Sequence, residues 1–182
     1  LVAGASANPP PVEGYVLLAP AVVTRASLGW FASGLLDVMV TVAPIWGFYN
    51  SAPGFQPTNN VDAWRRWSRD PLLLRTTRID ALAGLVDLMD AAVAAAPRFH
   101  ARALFLYGGK DRLVPPEPTR ALLAALPDPA HQWVGFYPEG YHMLLRDTQG
   151  EVVARDIAAW VMNPREPLPS GAEAAARRWL AA

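Results

Sequence analysis

The stretch ALFLYGGKD at residues 103–111 decides the fold class, because a short apolar run leads directly into a polar loop that begins with two glycines. A continuous apolar run bounded by turn residues is typical of a parallel strand that is buried on both faces. Residues 15–19 (YVLLA, followed by Pro20) and residues 133–137 (WVGFY, followed by Pro138) have the same form. The sequence therefore predicts three buried strands.

Helical patterns separate and follow these strands. Residues 119–126 carry alanine and leucine at helical spacing, and residues 151–162 place most of their apolar side chains on one stripe. Strands that alternate with helices predict a parallel sheet with right-handed crossovers. We therefore expect the α/β class with a mostly parallel sheet. Further helices are predicted at residues 1–7, 61–68, 77–96 and 172–181.

The composition excludes several kinds of site. The 16 Lys and Arg residues balance the 16 Asp and Glu residues, so no net basic charge supports nucleic-acid binding. The absence of cysteine excludes disulfides and thiolate metal sites, and the three widely spaced histidines do not form a metal-binding motif. For a chain of 182 residues we therefore expect one domain with a sizeable core, no metal, no cofactor and no nucleic-acid partner.

Two loops each follow a predicted strand at its carboxyl end, where α/β sheets place their functional sites. Asp111 lies in the first loop and His142 in the second. A carboxylate that accepts a hydrogen bond from an imidazole fixes its tautomer and stabilises its protonated form. We therefore predict that Asp111 and His142 are in contact and act as an acid–base pair. The alternatives are a turn aspartate that caps the next helix and an ordinary loop histidine.

The segments at residues 14–20, 70–72, 107–116 and 137–142 together resemble the α/β-hydrolases. Within that superfamily they are most similar to the monoacylglycerol lipase and lysophospholipase-like serine hydrolases, the serine aminopeptidase S33 group. The resemblance covers nearly the whole chain and depends on the order of the elements. It implies an α/β-hydrolase fold with a helical cap insertion and without its N-terminal strands. The activity that it implies is cofactor-independent hydrolysis of carboxylic esters, with monoacylglycerol- or lysophospholipid-like substrates.

The same resemblance assigns roles to individual residues. It implies that Asp111 is the triad acid and His142 the general base. It also makes Val114 and Met143 candidates for substrate contact, although either side chain could equally pack in the core.

The nucleophile of this family lies in a Gly-x-Ser-x-Gly turn, and the sequence does not contain that motif. Ser6, within GASAN at residues 4–8, is a poor substitute because the final glycine is missing and three prolines follow. We therefore expect the serine and the oxyanion hole to lie ahead of Leu1. On this interpretation the intact parent is the enzyme, and this chain alone is inactive as an esterase.

The resemblance also divides the chain into four parts. We expect residues 1–21 to form the end of the nucleophile helix and a core strand, and residues 22–97 to form the cap. Residues 98–164 then form the C-terminal part of the core, and residues 165–182 form a tail. A segment rich in proline, glycine and asparagine interrupts the cap at residues 50–60.

The apolar residues of the cap, concentrated at residues 30–49, have three compatible interpretations. They pack on the sheet, they line an acyl pocket as the lid of the resembling lipases does, or they touch a lipid surface, where tryptophan is favoured. Asp37 and Pro44 interrupt the stretch, so a membrane span is not expected. We therefore expect a small lipid-ester substrate, peripheral membrane contact through the cap, and a cytoplasmic or peripheral membrane location. The open edge of a half sheet predicts self-association.

Two other functions remain open from the sequence. Epoxide hydrolases and dehalogenases of the same superfamily use a late Asp and His together with an aspartate nucleophile. The chain could also be a non-catalytic fragment that binds an apolar ligand or a partner. Five other carboxylates have structural interpretations: Asp80, Asp87 and Asp90 as the solvated face of a helix, Asp70 as a helix cap ahead of Pro71, and Glu139 as a turn residue.

Overall fold

A computed structural model describes residues 1–49 and 56–182 of the chain, so residues 50–55 of the predicted interruption lie outside the described part. The described strands are β1 (Tyr15–Leu18), β2 (Gly47–Tyr49), β3 (Thr76–Arg78), β4 (Ala103–Gly108) and β5 (Gln132–Tyr137). The described α-helices are α1 (Val2–Ala7), α2 (Arg25–Leu28), α3 (Trp30–Val42), α4 (Val61–Ser68), α5 (Ile79–Ala95), α6 (Pro116–Ala124), α7 (Gly150–Met162) and α8 (Ala172–Ala181). Short 3₁₀ turns occupy Ala96–Arg98 and Leu144–Arg146.

The predicted buried strands form one parallel sheet in the order β1-β4-β5. All residues of the central strand β4 are buried, which agrees with its continuous apolar sequence. Gly108, the last residue of β4, pairs with Tyr137, the last residue of β5. The two strands therefore end level, and the loops that follow them emerge at the same edge of the sheet. The α/β class with a mostly parallel sheet is confirmed.

Helices cover both faces of this sheet. Because side chains alternate along β4, its apolar residues contribute to a core on each face. Phe105 and Tyr107 face a core that includes residues of α1, α5 and α6. Leu104 and Leu106 face a second core, to which α7 contributes Trp160. Each fully buried side chain of this size stabilises the fold by about 1.5–3 kcal/mol.

Helix α8 packs against the edge strand β5. The indole ring of Trp179 stacks on Phe136 at a centroid distance of 4.8 Å and on Tyr107 at 5.1 Å. The guanidinium carbon of Arg120, in α6, lies 4.9 Å from the centre of the Trp179 ring. The C-terminal helix thus ties the edge strand to the central strand and to α6.

Helices α2, α3 and α5 form a small assembly of their own between β1 and β4 in the sequence. Leu36, Val86 and Met89 are its buried apolar centre. The Arg25 guanidinium joins the three helices, since it donates to Asp37 at 2.6 Å and to Asp87 at 2.8 Å. This assembly lies within residues 22–97, and the exact boundaries of the cap stay a prediction.

The helix predicted at residues 77–96 is confirmed as α5, with its start shifted to Ile79 because β3 pairs with β2 in an antiparallel two-stranded sheet. A second local prediction, at Asp70, is wrong. Asp70 does not cap a helix, because residues 71–75 are not helical and its Oδ1 accepts the Leu72 N–H at 2.9 Å. That hydrogen bond is an Asx turn, which aspartate also favours.

Much of the cap's apolar surface is exposed in the described part of the chain. Trp30 is 88% exposed, Ile45 73% and Trp46 65%, so packing on the sheet does not account for these side chains. Peripheral membrane contact through the cap stays a prediction. None of the described helices is both long and apolar enough to cross a membrane. Within residues 1–49 and 56–182, β1 pairs only with β4, and self-association through its other edge also stays a prediction.

Candidate functional site

The loops after β4 and β5 approach each other at a point where only glycine fits. A Cβ atom on Gly108 would lie 2.5 Å from the carbonyl oxygen of Gly140 and 2.7 Å from that of Tyr141. Real Cβ atoms do not come this close to backbone atoms, so a side chain at residue 108 would push the loops apart. The double glycine at the end of the β4 sequence is therefore needed for the two loops to meet.

Backbone hydrogen bonds hold the two loops together. The N–H of Gly109 donates to the Tyr137 carbonyl at 2.8 Å, and the N–H of Lys110 donates to the Gly140 carbonyl, also at 2.8 Å. The side chains of Lys110 and Glu139 form an ion pair between the loops, and this pairing raises the pKa of Lys110. We call the loop after β4, which carries Asp111, the acid loop, and the loop after β5, which carries His142, the histidine loop. Glu139, expected to be only a turn residue, therefore also links these two loops.

Asp111 is held in a single orientation by its own loop. Its Oδ1 accepts the backbone N–H of Leu113 at 2.8 Å and that of Val114 at 3.1 Å. These bonds leave Oδ2 to face His142, whose Nδ1 lies 2.8 Å away. The Asp111 side chain is fully buried, and a charge-assisted hydrogen bond is strong where water is excluded. The predicted contact between Asp111 and His142 is confirmed.

His142 lies at the surface end of this pair, with 23% of its side chain exposed. With Asp111 ionised, Nδ1 carries the hydrogen that is donated to the carboxylate, so Nε2 has the free lone pair. An imidazole in this state accepts a proton at Nε2 and becomes an imidazolium that the buried carboxylate stabilises. The arrangement is suited to general base and general acid chemistry.

The Tyr107 side chain, near the end of β4, supports the acid loop through a hydrogen bond to its backbone. Its hydroxyl donates to the Val114 carbonyl at 2.7 Å, and burial raises the pKa of Tyr107, so the phenol stays a donor. The Val114 side chain is 1% exposed and belongs to the core. Predicted as a candidate for substrate contact, Val114 is instead a packing residue whose backbone holds Asp111.

A cavity of about 280 Å³, widely open to solvent, adjoins His142. Met143, the second candidate for substrate contact, lines it, and its role there stays a prediction. The remaining lining comes from the end of β1, from helix α4 of the predicted cap and from the turn after His142: Leu18, Trp67, Leu144, Leu145 and Arg146. Trp67 was not singled out as a site residue, because only the tertiary fold brings α4 over the sheet edge.

Replacing Gly108 with alanine is expected to lower the free energy of unfolding by about 1–3 kcal/mol, because the new methyl group collides with backbone. Gly84→Ala is the matched control, since nothing lies within 4 Å of its Cβ position inside α5. The control is expected to gain about 0.5–1 kcal/mol from reduced backbone entropy in the unfolded chain. Urea denaturation measures both values, and equal stability of the two variants would contradict the close approach at Gly140.

Other titratable clusters have ion partners of their own. Asp87 and Asp90 both contact Arg25, and Asp80 pairs with Arg78 on the protein surface.

The described residues include no group of three or more His, Cys, Asp or Glu side chains that could hold a metal ion. Ser6 donates its hydroxyl to the Val2 carbonyl at 2.7 Å, within its own helix.

Comparisons with known proteins show the family to which the chain belongs. The family model described as "Serine aminopeptidase, S33" matches residues 1–149. A monoacylglycerol lipase of Mycolicibacterium smegmatis is 30% identical, over 71% of this chain and 49% of its own length. The chain thus spans about half the length of this curated relative.

Solved structures of lipases also superpose on most of the chain. The monoacylglycerol lipase of Paleococcus ferrophilus superposes with a TM-score of 0.74 at 27% identity, covering 88% of this chain and 62% of that one. A monoglyceride lipase variant from Saccharomyces cerevisiae has a TM-score of 0.71 at 12% identity, covering 91% and 58%, and therefore shows the fold alone. The α/β-hydrolase fold is confirmed, and the chain belongs to the serine aminopeptidase S33 family.

Proposed function

We propose that this chain supplies the acid and the base of a serine ester hydrolase that acts on monoacylglycerol-like lipids. The observation that carries the proposal is the 2.8 Å hydrogen bond between His142 Nδ1 and the buried carboxylate of Asp111, at the carboxyl edge of a parallel sheet. Relatives that are monoacylglycerol lipases support the substrate class.

In the proposed reaction, Nε2 of His142 removes the proton from a serine hydroxyl while the serine oxygen attacks the carbonyl carbon of the ester. The C–O bond to the alcohol then breaks, and His142 returns the proton to the departing glycerol oxygen. Water attacks the acyl-serine by the same sequence of steps and releases the fatty acid. Asp111 stays ionised throughout, holds the imidazole in its tautomer and stabilises the imidazolium.

The nucleophile in this proposal is a serine outside the 182 residues. The sequence has no Gly-x-Ser-x-Gly turn, and the hydroxyl of Ser6 is engaged by the carbonyls of Val2 and, at 3.4 Å, Ala95. In the described part of the chain, β1 pairs with β4 on one side only. Its other side is where we place the strand that leads to the serine.

The cavity beside His142 suits an ester with an apolar acyl chain. Leu18, Trp67 and Met143 contribute apolar walls, and Arg146 adds a polar group at the same cavity. An apolar pocket with few polar groups is typical of sites for small organic ligands. A fatty acyl ester of a small alcohol fits this lining.

The proposal is tested first by the coding sequence ahead of the Leu1 codon, which should encode a Gly-x-Ser-x-Gly turn. The longer polypeptide should hydrolyse monoacylglycerol and 4-nitrophenyl butyrate, and its serine should react with a fluorophosphonate probe. The 182-residue chain should do neither. Serine-dependent hydrolysis by the 182-residue chain itself would overturn the assignment of the nucleophile.

The same experiment separates the alternative chemistries. An aspartate at the centre of the turn would indicate an epoxide hydrolase or dehalogenase, and a fluorophosphonate would not label it. A longer polypeptide that has the serine but neither reacts with the probe nor hydrolyses esters would favour the non-catalytic interpretation.

A further inference from the structure

Asp147 is a buried carboxylate without a cationic partner in the described part of the chain. The residue is 8% exposed, and burial of a carboxylate is costly unless hydrogen bonds compensate for the lost water. Its Oδ1 accepts the Thr58 hydroxyl at 2.6 Å and the Asn59 N–H at 3.3 Å. Its Oδ2 accepts the backbone N–H of Tyr141 at 2.7 Å. The two oxygens of one side chain thus bind two different segments.

The first of these segments belongs to the predicted cap. Thr58 is 1% exposed, and its hydroxyl also lies 3.1 Å from the Arg146 carbonyl. Asn59 accepts the Thr148 N–H at 2.8 Å through its side-chain oxygen. Asn60 then caps helix α4, because its side-chain oxygen accepts the Ala63 N–H at 3.0 Å. These hydrogen bonds therefore fix residues 57–60 against the loop after His142, and α4 begins directly after this segment.

The second segment contains His142. The peptide N–H before it, on Tyr141, donates to Asp147, and the peptide N–H after it, on Met143, donates to the Pro57 carbonyl at 2.8 Å. Hydrogen bonds to the cap segment or to Asp147 therefore hold the backbone on both sides of His142. The imidazole itself is oriented by Asp111.

We propose that Asp147 is a positioning residue that couples the cap segment at residues 57–60 to the orientation of the His142 imidazole. Displacement of the cap segment moves the Thr58 hydroxyl, and the shared carboxylate transmits this movement to the Tyr141 N–H and so to His142. The effect on hydrolysis rests on the proposed function. The effect on the contact between His142 and Asp111 does not, and can be measured in this chain.

An aspartate is required here because three donors converge on two acceptor oxygens. Asparagine has nearly the same shape, but it replaces one acceptor oxygen with an NH₂ group that faces a donor. Asp147→Asn therefore leaves the backbone N–H of either Tyr141 or Asn59 without its acceptor, and in the second case it also breaks the Thr58–Asp147 bond, because the Thr58 hydroxyl must turn to the Arg146 carbonyl. Since an unpaired buried donor is destabilising, the loop is expected to shift.

The matched control is Glu173→Gln. Glu173 is also a buried carboxylate, 7% exposed, and it accepts the backbone N–H of Leu168 in the tail. Its replacement removes one charge and one acceptor oxygen, as Asp147→Asn does, but touches neither the cap segment nor the histidine loop. A change that appears in both variants therefore reflects lost thermal stability, and a change that appears only in Asp147→Asn reflects an effect on His142.

The experiment observes the Nδ1 proton of His142 in the 182-residue chain by proton NMR. A proton in this hydrogen bond gives a downfield signal, which is assigned by its disappearance in Asp111→Asn. Asp147→Asn is expected to shift this signal upfield and to accelerate its exchange with water at least about tenfold. Glu173→Gln should leave both unchanged. Thr58→Val should change both in the same direction as Asp147→Asn but less, and it provides the test if Asp147→Asn fails to fold.

Unchanged shift and exchange in Asp147→Asn, or in Thr58→Val if that variant alone folds, would overturn the proposal. An equal change in Glu173→Gln would also overturn it, because the effect would then be one of general stability. If Asp111→Asn removed no signal, the acid–base pair of the proposed function would fail, and the role of Asp147 with it. If the pair is confirmed by NMR and only hydrolysis is absent, the proposed function fails and the coupling stands.

Discussion

Asp111→Asn is expected to reduce kcat for ester hydrolysis by about 10⁴-fold in the polypeptide that carries the nucleophile. An amide at this position turns its NH₂ group or its oxygen toward Nδ1 and no longer stabilises the imidazolium. Because the Asp111 side chain is fully buried, water does not replace the lost charge. Initial rates with 4-nitrophenyl butyrate at saturating concentration measure the effect.

The matched control is a second aspartate–histidine pair in the same chain. Asp128 Oδ2 lies 2.8 Å from His131 Nδ1, the same separation as in the site. This pair is exposed to solvent, and the hydrogen bond from His131 lowers the pKa of Asp128. Asp128→Asn should leave kcat unchanged. A loss of less than about tenfold in Asp111→Asn, or equal losses in the two variants, would contradict the assignment of Asp111 as the triad acid.

Phe105→Ala is expected to lower the free energy of unfolding by about 3–5 kcal/mol. Phe105 lies in the middle of the central strand, is 1% exposed, and packs edge-on against Phe99 at a centroid distance of 6.1 Å. Its removal leaves a cavity between the sheet and the helices on that face. Since small domains have only about 5–15 kcal/mol in total, much of the chain's stability would be lost.

Phe31→Ala is the control for this second prediction. Phe31 is 67% exposed on α3, so the same truncation should change stability by less than about 0.5 kcal/mol. Urea unfolding followed by tryptophan fluorescence compares the two variants. A small effect at Phe105, similar to that at Phe31, would mean that the sheet is not the stable core of the chain.

Most of the sheet could be predicted from the sequence because its strands are buried on both faces. Such strands appear as continuous apolar runs, and the turn residues Pro20, Gly108 and Pro138 mark where the runs end. The strands β2 and β3 were missed because each has three residues, too few for an alternating pattern. Thr77 and Arg78 of β3 were assigned to the following helix for the same reason.

The acid–base pair could be predicted because both residues follow strands of one parallel sheet, and such strand ends meet at a common edge. The partners that hold the pair could not. Asp147 lies five residues after His142 and has no distinctive pattern, and Thr58 is 89 residues from Asp147 in the sequence. Helix α4 and Trp67 lie beside the cavity in the fold, where residues 57–59 make this and other long-range contacts with residues 143–148.

The order of buried runs and polar loops by itself determined the α/β class, the parallel sheet and the meeting of Asp111 with His142. These features depend on the local pattern of apolar and polar residues and on strand direction, and both can be inferred from the order of residues in the sequence. Only the tertiary structure decided that Val114 belongs to the core, that Glu139 pairs with Lys110, and that Asp147 joins the cap segment to the histidine loop. Such contacts depend on the distances between segments remote in sequence, which hydrophobic periodicity does not encode.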